Sequence, residues 1–158
     1  MKKYLLITGL IVLFCAIESA LFNVFSEWVV PNLLLMFIIL LGLFFDLKYS
    51  IFSAIIGGLI KDSFSSSVIG VNMVAFLSSV FILFLLRKYV YHPHSGLSRI
   101  FVLAAVLTAN EFIHFVFYYS AKDIVFAESF KFVILPQIIS SIMLYPAVFY
   151  IFKKCVLR

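Results

Sequence analysis

Six apolar segments divide this chain, and the polar stretches between them are too short to build a water-soluble domain. They cover residues 4–25, 30–45, 50–64, 68–86, 100–119 and 132–152. Within the second, the run from Leu33 to Leu41 carries no polar side chain. A helix is the form expected of such runs, because it satisfies its own backbone hydrogen bonds in hydrocarbon. The alternating pattern of a membrane β-barrel strand is not what these residues show. Composition closes the question of class. Hydrophobic residues make up 65% of the chain and charged residues 12%, against about 25% charged in a soluble domain. So few charges cannot coat a protein in water, and the outer surface must face lipid. A soluble globular domain, a disordered chain and a secreted disulfide scaffold are excluded. At about 20 residues per crossing, the length allows about six or seven spans and leaves no room for an aqueous catalytic domain.

The basic residues set the topology. The third segment is short, about 22 Å at 1.5 Å per residue, so it either crosses or re-enters. With six crossings and the amino terminus inside, Lys2, Lys3, Lys48, Arg87, Lys88, Arg99, Lys153, Lys154 and Arg158 are cytoplasmic, and Lys61, Lys122 and Lys131 are external. That split is nine to three. If the third segment does not cross, the later loops change sides and the split becomes six to six. Only the first obeys the positive-inside rule. The expectation is an all-α integral membrane protein, one polytopic domain over residues 1–158, with six transmembrane helices and both termini cytoplasmic. The first segment reads as an uncleaved anchor. Glu18, Leu21 and Phe22 do not suit the small-residue pattern of signal cleavage, and Phe14 before Cys15 is too large for lipoprotein processing.

Charge inside a span is costly and calls for a functional reading. Glu18 and Glu111 are the acids that fall deep. Glu18 lies 14 residues into the first segment and His114 lies 14 residues into the fifth. Both segments start inside, so the two residues share a depth. Asn110, Glu111 and His114 fall within about one turn, and residues three apart share a helix face. A polar contact joining the first and fifth helices through Glu18, His114 and Glu111 is expected. It can serve as interhelical glue, as a proton or ion path, or as a patch for a partner. Catalytic signatures are missing. There is no P-loop, G-x-S-x-G, H-E-x-x-H or Cys-x-x-Cys. His92 and His94 flank a proline without a third ligand, so no metal site is expected. Ser65, Ser66 and Ser67 have no accompanying base in sequence. Cys15 and Cys155 fall at different depths and are not expected to pair. The short clusters of positive charge suit topology and anionic lipid rather than nucleic acid.

The most informative stretch opens at Pro31-Asn32. It continues through Ser50-x-x-x-Ala54-x-x-x-Gly58-x-x-x-Asp62, residues that stack on one helix face, and Gly70 follows. Small residues at this spacing let a neighbouring backbone approach closely. The stripe is therefore a candidate packing surface or partner interface.

At these residues the sequence resembles the MreD family of bacterial rod-shape-determining membrane proteins. Pro31-Asn32, Gly58-Leu59-Ile60-Lys61-Asp62 and Gly70 match the Pro-Asn or Pro-Asp, G-L-x-x-D and following glycine of that family. Ser50, Ala54 and Ser66 depart from it, where glycine is frequent. The resemblance implies a non-enzymatic scaffold of the cell-wall elongation machinery in the bacterial cytoplasmic membrane, without a cofactor. Its implied partner is a bitopic MreC-type protein. Through that protein it would meet a RodA-type polymerase, a class B penicillin-binding transpeptidase and MreB filaments. The family also looks like the six-helix substrate-binding subunits of energy-coupling-factor transporters. That likeness, with an aromatic content of 18%, gives an alternative: a subunit that captures a vitamin-like solute. A membrane enzyme built on Glu18 and His114 is the weakest reading, because no nucleophile or metal set accompanies them.

Overall fold

The computed structural model describes residues 2–24, 30–64, 70–92, 95–119 and 135–156. It contains six helices: α1 (Lys2–Val24), α2 (Leu33–Phe44), α3 (Leu47–Phe64), α4 (Val71–Tyr89), α5 (Gly96–Tyr119) and α6 (Leu135–Cys155). Among the described residues there is no strand. The all-helical membrane class expected from the sequence is what the chain adopts. α1, α4, α5 and α6 are each long and apolar enough to cross a bilayer.

The short element is not where the sequence placed it. α3 begins at Leu47 rather than Ser50 and has 18 residues, or about 27 Å, close to the roughly 30 Å of a hydrocarbon core. α2 is the short one. It has 12 helical residues, about 18 Å, because Pro31 and Asn32 stay outside the helix and Phe45 ends it in an extended conformation. Hydropathy alone could not separate these residues from the helix they flank.

α2 is also the centre of the fold. Every residue from Leu33 to Leu43 is buried, and α2 packs against all five other helices. The others form an arc around it, in which α1 packs on α3, α3 on α4, α4 on α5 and α5 on α6. α1 and α6 are the ends of the arc and flank α2 without forming a packed pair of their own. Aromatic rings pin them there. Phe37 of α2 meets Phe14 of α1 at 5.1 Å and Phe152 of α6 at 6.0 Å between centroids. A helix that is apolar all round is expected to be buried.

Length explains the central place better than hydropathy does, since lipid tails are as apolar as leucine. An 18 Å helix leaves its unpaired terminal carbonyls and amides at the depth of hydrocarbon, where each costs several kcal/mol. Protein side chains must reach them. At the C-terminal end, Arg87 of α4 donates through Nη1 to the carbonyls of Gly42 (2.7 Å) and Phe45 (2.8 Å). In the middle of α2, Ser50 Oγ of α3 adds a second bond to the Ile38 carbonyl at 2.9 Å.

The small-residue stripe sets how closely α3 meets its neighbours. Ser50 and Ala54 are fully buried. A Cβ built on Gly58 would stand 2.4 Å from Met73 Cα, so the backbones of α3 and α4 touch there. Gly58→Ala should therefore force these helices apart and destabilise the protein by about 1–3 kcal/mol, the usual penalty of overpacking. Gly9 has open space where a Cβ would go, and Gly9→Ala should be neutral or slightly stabilising. Thermal unfolding of the two variants in the same detergent checks the contrast. Equal transitions would remove the close-approach role of Gly58.

Candidate functional site: a buried polar layer

The second end of α2 organises the polar residues. α1 and α5 run away from the end of the bundle that holds the termini, and α2 starts at the opposite end. Glu18 in α1, Asn32 before α2, Lys61 and Asp62 in the last turns of α3, and Ser141 in α6 converge there.

Asn32 is the N-cap of α2. Its Oδ1 accepts from the Leu35 amide at 3.2 Å, the usual reach of an N-cap side chain. Its own backbone N–H donates to Ser141 Oγ at 3.2 Å. Glu18 Oε2 accepts from the Leu34 amide at 3.3 Å, which places a carboxylate at the positive end of the helix dipole. Lys61 joins the group. Its Nζ is 2.6 Å from Glu18 Oε1 and 3.4 Å from Asn32 Oδ1, and it stands 5.5 Å from the centre of the Phe76 ring. One ammonium thus ties α1, the start of α2, α3 and α4.

Asp62 performs the same service for α4. Gly70, the N-cap, has no side chain to offer and adopts φ +98°, a conformation that favours glycine. Asp62 supplies the missing acceptor from the neighbouring helix. Its Oδ2 accepts from the amides of Gly70 (3.0 Å) and Met73 (3.3 Å). Its Oδ1 accepts from the amide of Asn72 (3.0 Å) and from Asn72 Nδ2 (2.9 Å). The carboxylate is 2% exposed, so these bonds are its solvation.

The third part lies on α5. Asn110 is fully buried. Its Oδ1 accepts from Ser79 Oγ of α4 at 3.3 Å, and its Nδ2 donates to Glu111 Oε1 at 3.3 Å. Lys61, Asn32 and Glu18 are electrostatic neighbours of Glu111, and Lys61 and Asp62 are among those of His114. α1 packs on α2 and α3, and α5 packs on α2, α4 and α6. Glu18 is engaged by Lys61 and by the Leu34 amide, and Lys61 of α3 also stands near Glu111 and His114 of α5.

Pro31, Asn32, Ser50, Ala54, Gly58, Asp62 and Gly70 all act at contacts within this chain. Pro31 is buried, and its carbonyl accepts from the Leu33 amide at 2.9 Å. The sequence reading missed Lys61 and Arg87 as structural residues and counted both as topological charges. An available signal was that Lys61 and Glu18 are opposite charges near the same end of the first and third segments, which run in the same direction. Ser79 and Ser141 carried no such signal. Among the described residues, no group of three His, Cys, Asp or Glu is placed to hold a metal ion. His94 and Ser65, Ser66 and Ser67 lie outside the described residues, as do Lys122 and Lys131. Cys15 and Cys155 are both free thiols.

The pair Glu18–Lys61 should behave as a buried ion pair. Lys61→Met alone strands a carboxylate and should cost about 3 kcal/mol, whereas Glu18→Gln with Lys61→Met should recover much of that loss. A double-mutant cycle read by thermal unfolding gives the coupling, and additive losses would refute it. Asp62→Ala should be worse than Asp62→Asn, by about 1–2 kcal/mol, since asparagine keeps one acceptor for the α4 amides. Equal stability of those two variants would count against the capping role.

A family model described as rod shape-determining protein MreD matches residues 1–155. No curated protein and no solved structure matches the chain. The stretch from Pro31 to Gly70 that carries the resemblance in sequence is also the stretch whose residues cap α2 and α4 and set the α3–α4 approach. On the extent of that match, nearly end to end, the chain belongs to the MreD family of rod shape-determining proteins.

Proposed function

We propose that this chain is a non-enzymatic scaffold subunit of the bacterial cell-wall elongation machinery, acting through an MreC-type bitopic partner in the cytoplasmic membrane. The family match over residues 1–155 carries this reading. Rod shape determination is the family's role. The finer assignment is an MreC-type partner, and through it a RodA-type polymerase, a class B penicillin-binding transpeptidase and MreB filaments. The geometry supports a scaffold, because the intramembrane carboxylates of Glu18 and Asp62 hold helix ends rather than face an open cleft. Both termini are cytoplasmic in this reading, on the distribution of lysine and arginine.

A partner helix arriving from the bilayer does not meet the small-residue stripe of α3, which is turned inward. It can meet the opposite face of α3, at Ile51, Ile55 and Leu59, or the exposed apolar faces of α1, α4, α5 and α6. Depletion of this protein from a rod-shaped host should round the cells, and the wild-type chain should restore rods and co-purify with the MreC-type protein. Asp62→Ala, which loosens α4, should restore neither. Rods that persist after depletion would overturn the reading. So would an intact, membrane-inserted chain that fails to retain the MreC-type protein.

A further inference from the structure

The polar layer holds more carboxylates than cations. Among the described residues, Glu18 of α1, Asp62 of α3 and Glu111 of α5 are the acids at the end of the bundle away from the termini, and Lys61 is the lysine or arginine there. Asp62 needs no cation, because four N–H groups from the start of α4 surround it. Two carboxylates on two helices are thus left to one ammonium on a third, with His114 as the other basic side chain of the layer.

Both carboxylates act on that ammonium. Lys61 Nζ is 2.6 Å from Glu18 Oε1, and Glu111 is a further charge that bears on it. The Asn32 side chain stands between the two seats. Its Oδ1 is 3.4 Å from Lys61 Nζ, and Asn32 is also a hydrogen-bond partner of Glu111. A polar path therefore runs from Glu18 through Lys61 and Asn32 to Glu111. Along it, Lys61 is the member suited to move. It has a flexible four-carbon stem and three donor positions, and 27% of its side chain is exposed, where Asn32 and Glu111 are buried. Each carboxylate also has a neutral donor of its own. The Leu34 amide donates to Glu18 at 3.3 Å, and Asn110 Nδ2 donates to Glu111 at 3.3 Å. Neither is stranded when the ammonium sits on the other.

We propose that Lys61 is a counterion shared by Glu18 and Glu111, seated on Glu18 in this structure and able to pass to Glu111 across Asn32. The exchange couples α1 to α5, although α1 packs on α2 and α3, and α5 on α2, α4 and α6. Seated on Glu18, the ammonium ties α1 to α3; seated on Glu111, it ties α5 to α3. In both states the cation stays paired, which matters because a buried charge without its partner is strongly destabilising.

The test is a set of thermal unfolding cycles on the full chain in one neutral detergent. Lys61→Met should lower the wild-type midpoint by about 10 °C. In the Glu18→Gln chain it should still lower the midpoint, by a smaller step, because the ammonium there sits on Glu111. With Glu18→Gln and Glu111→Gln together it should raise the midpoint, since the lysine is then a buried cation with no carboxylate to meet. His114→Gln should leave this pattern in place. A hydrophobic carbodiimide, which joins an amine to a carboxylate in direct contact, reads the seat itself. Peptide masses should show Lys61 joined to Glu18 in wild type and to Glu111 in the Glu18→Gln chain. This second readout needs only a near-isosteric variant, and it decides the matter if Lys61→Met does not fold. A Lys61→Met substitution that already stabilises the Glu18→Gln chain would overturn the proposal, because Glu18 would then be the one partner. So would loss of the Lys61–Glu111 product from that chain under conditions that join Lys61 to Glu18 in wild type, or Glu111 joined to Lys122 or Lys131 instead.

Discussion

Both ends of one short helix lie within the bundle, and most of the polar chemistry of this protein follows from that. α2 is about 18 Å long, in a bilayer core of roughly 30 Å. Its terminal amides and carbonyls cannot reach water by themselves. The fold places α2 at its centre and brings polar side chains from its neighbours to both ends. Glu18 and Asn32 receive the amides of Leu34 and Leu35, and Arg87 donates to the carbonyls of Gly42 and Phe45. The signs obey the helix dipole, with the carboxylate at the N-terminus and the guanidinium at the C-terminus. Asp62 at the start of α4 repeats the rule. Charges that would each be costly in hydrocarbon thus replace a larger cost, that of unpaired backbone groups.

The family motif becomes intelligible as one device. Pro31 and Asn32 stop the chain short of the helix and cap it. Gly58 lets α3 approach α4 until the two backbones touch, and that approach brings the Asp62 carboxylate to the amides of Gly70, Asn72 and Met73. Gly70 supplies the left-handed turn that aims those amides at Asp62. Lys61, one residue before Asp62, faces the other way and holds Glu18 and Asn32. Two adjacent residues of α3 therefore cap two different helices, one directly and one through a carboxylate.

Much of this was legible in the sequence, and the remainder was hidden for a definable reason. The apolar runs gave six helices, because hydropathy reports burial from water. The spacing of Ser50, Ala54 and Gly58 gave a close-packed face, because it is a property of one helix. Hydropathy could not show that α2 would be interior, since lipid and protein core are equally apolar, or that it ends at Phe44. The structural roles of Lys61 and Arg87 were not visible because a count of positive charges treats each as a marker of its side of the membrane. Their partners lie 43 and 45 residues away, and no local pattern records such pairings. Glu18 and the Asn110–Glu111–His114 turn stood out in the sequence as polar groups inside apolar runs, and Asn110 and Glu111 are buried. Their partners did not stand out, since Lys61 comes to them from a third helix.

The two ends of the bundle differ in how their charges are held, and this bears on where a partner can act. Opposite the termini, Glu18, Lys61 and Asp62 belong to one connected set of bonds across α1, α2, α3 and α4. A contact that shifted α1 there would pull on Lys61, and through α3 on the Asp62 bonds that begin α4. At the end holding the termini, Lys3 lies over the Phe45 ring, Lys153 and Lys154 are exposed in the last turn of α6, and Arg87 holds the carbonyls of Gly42 and Phe45. α1 joins the two ends, with Lys3 against the Phe45 ring and Glu18 in the polar layer. Its position against α2 is therefore the geometric variable through which an event at one membrane surface would be felt at the other.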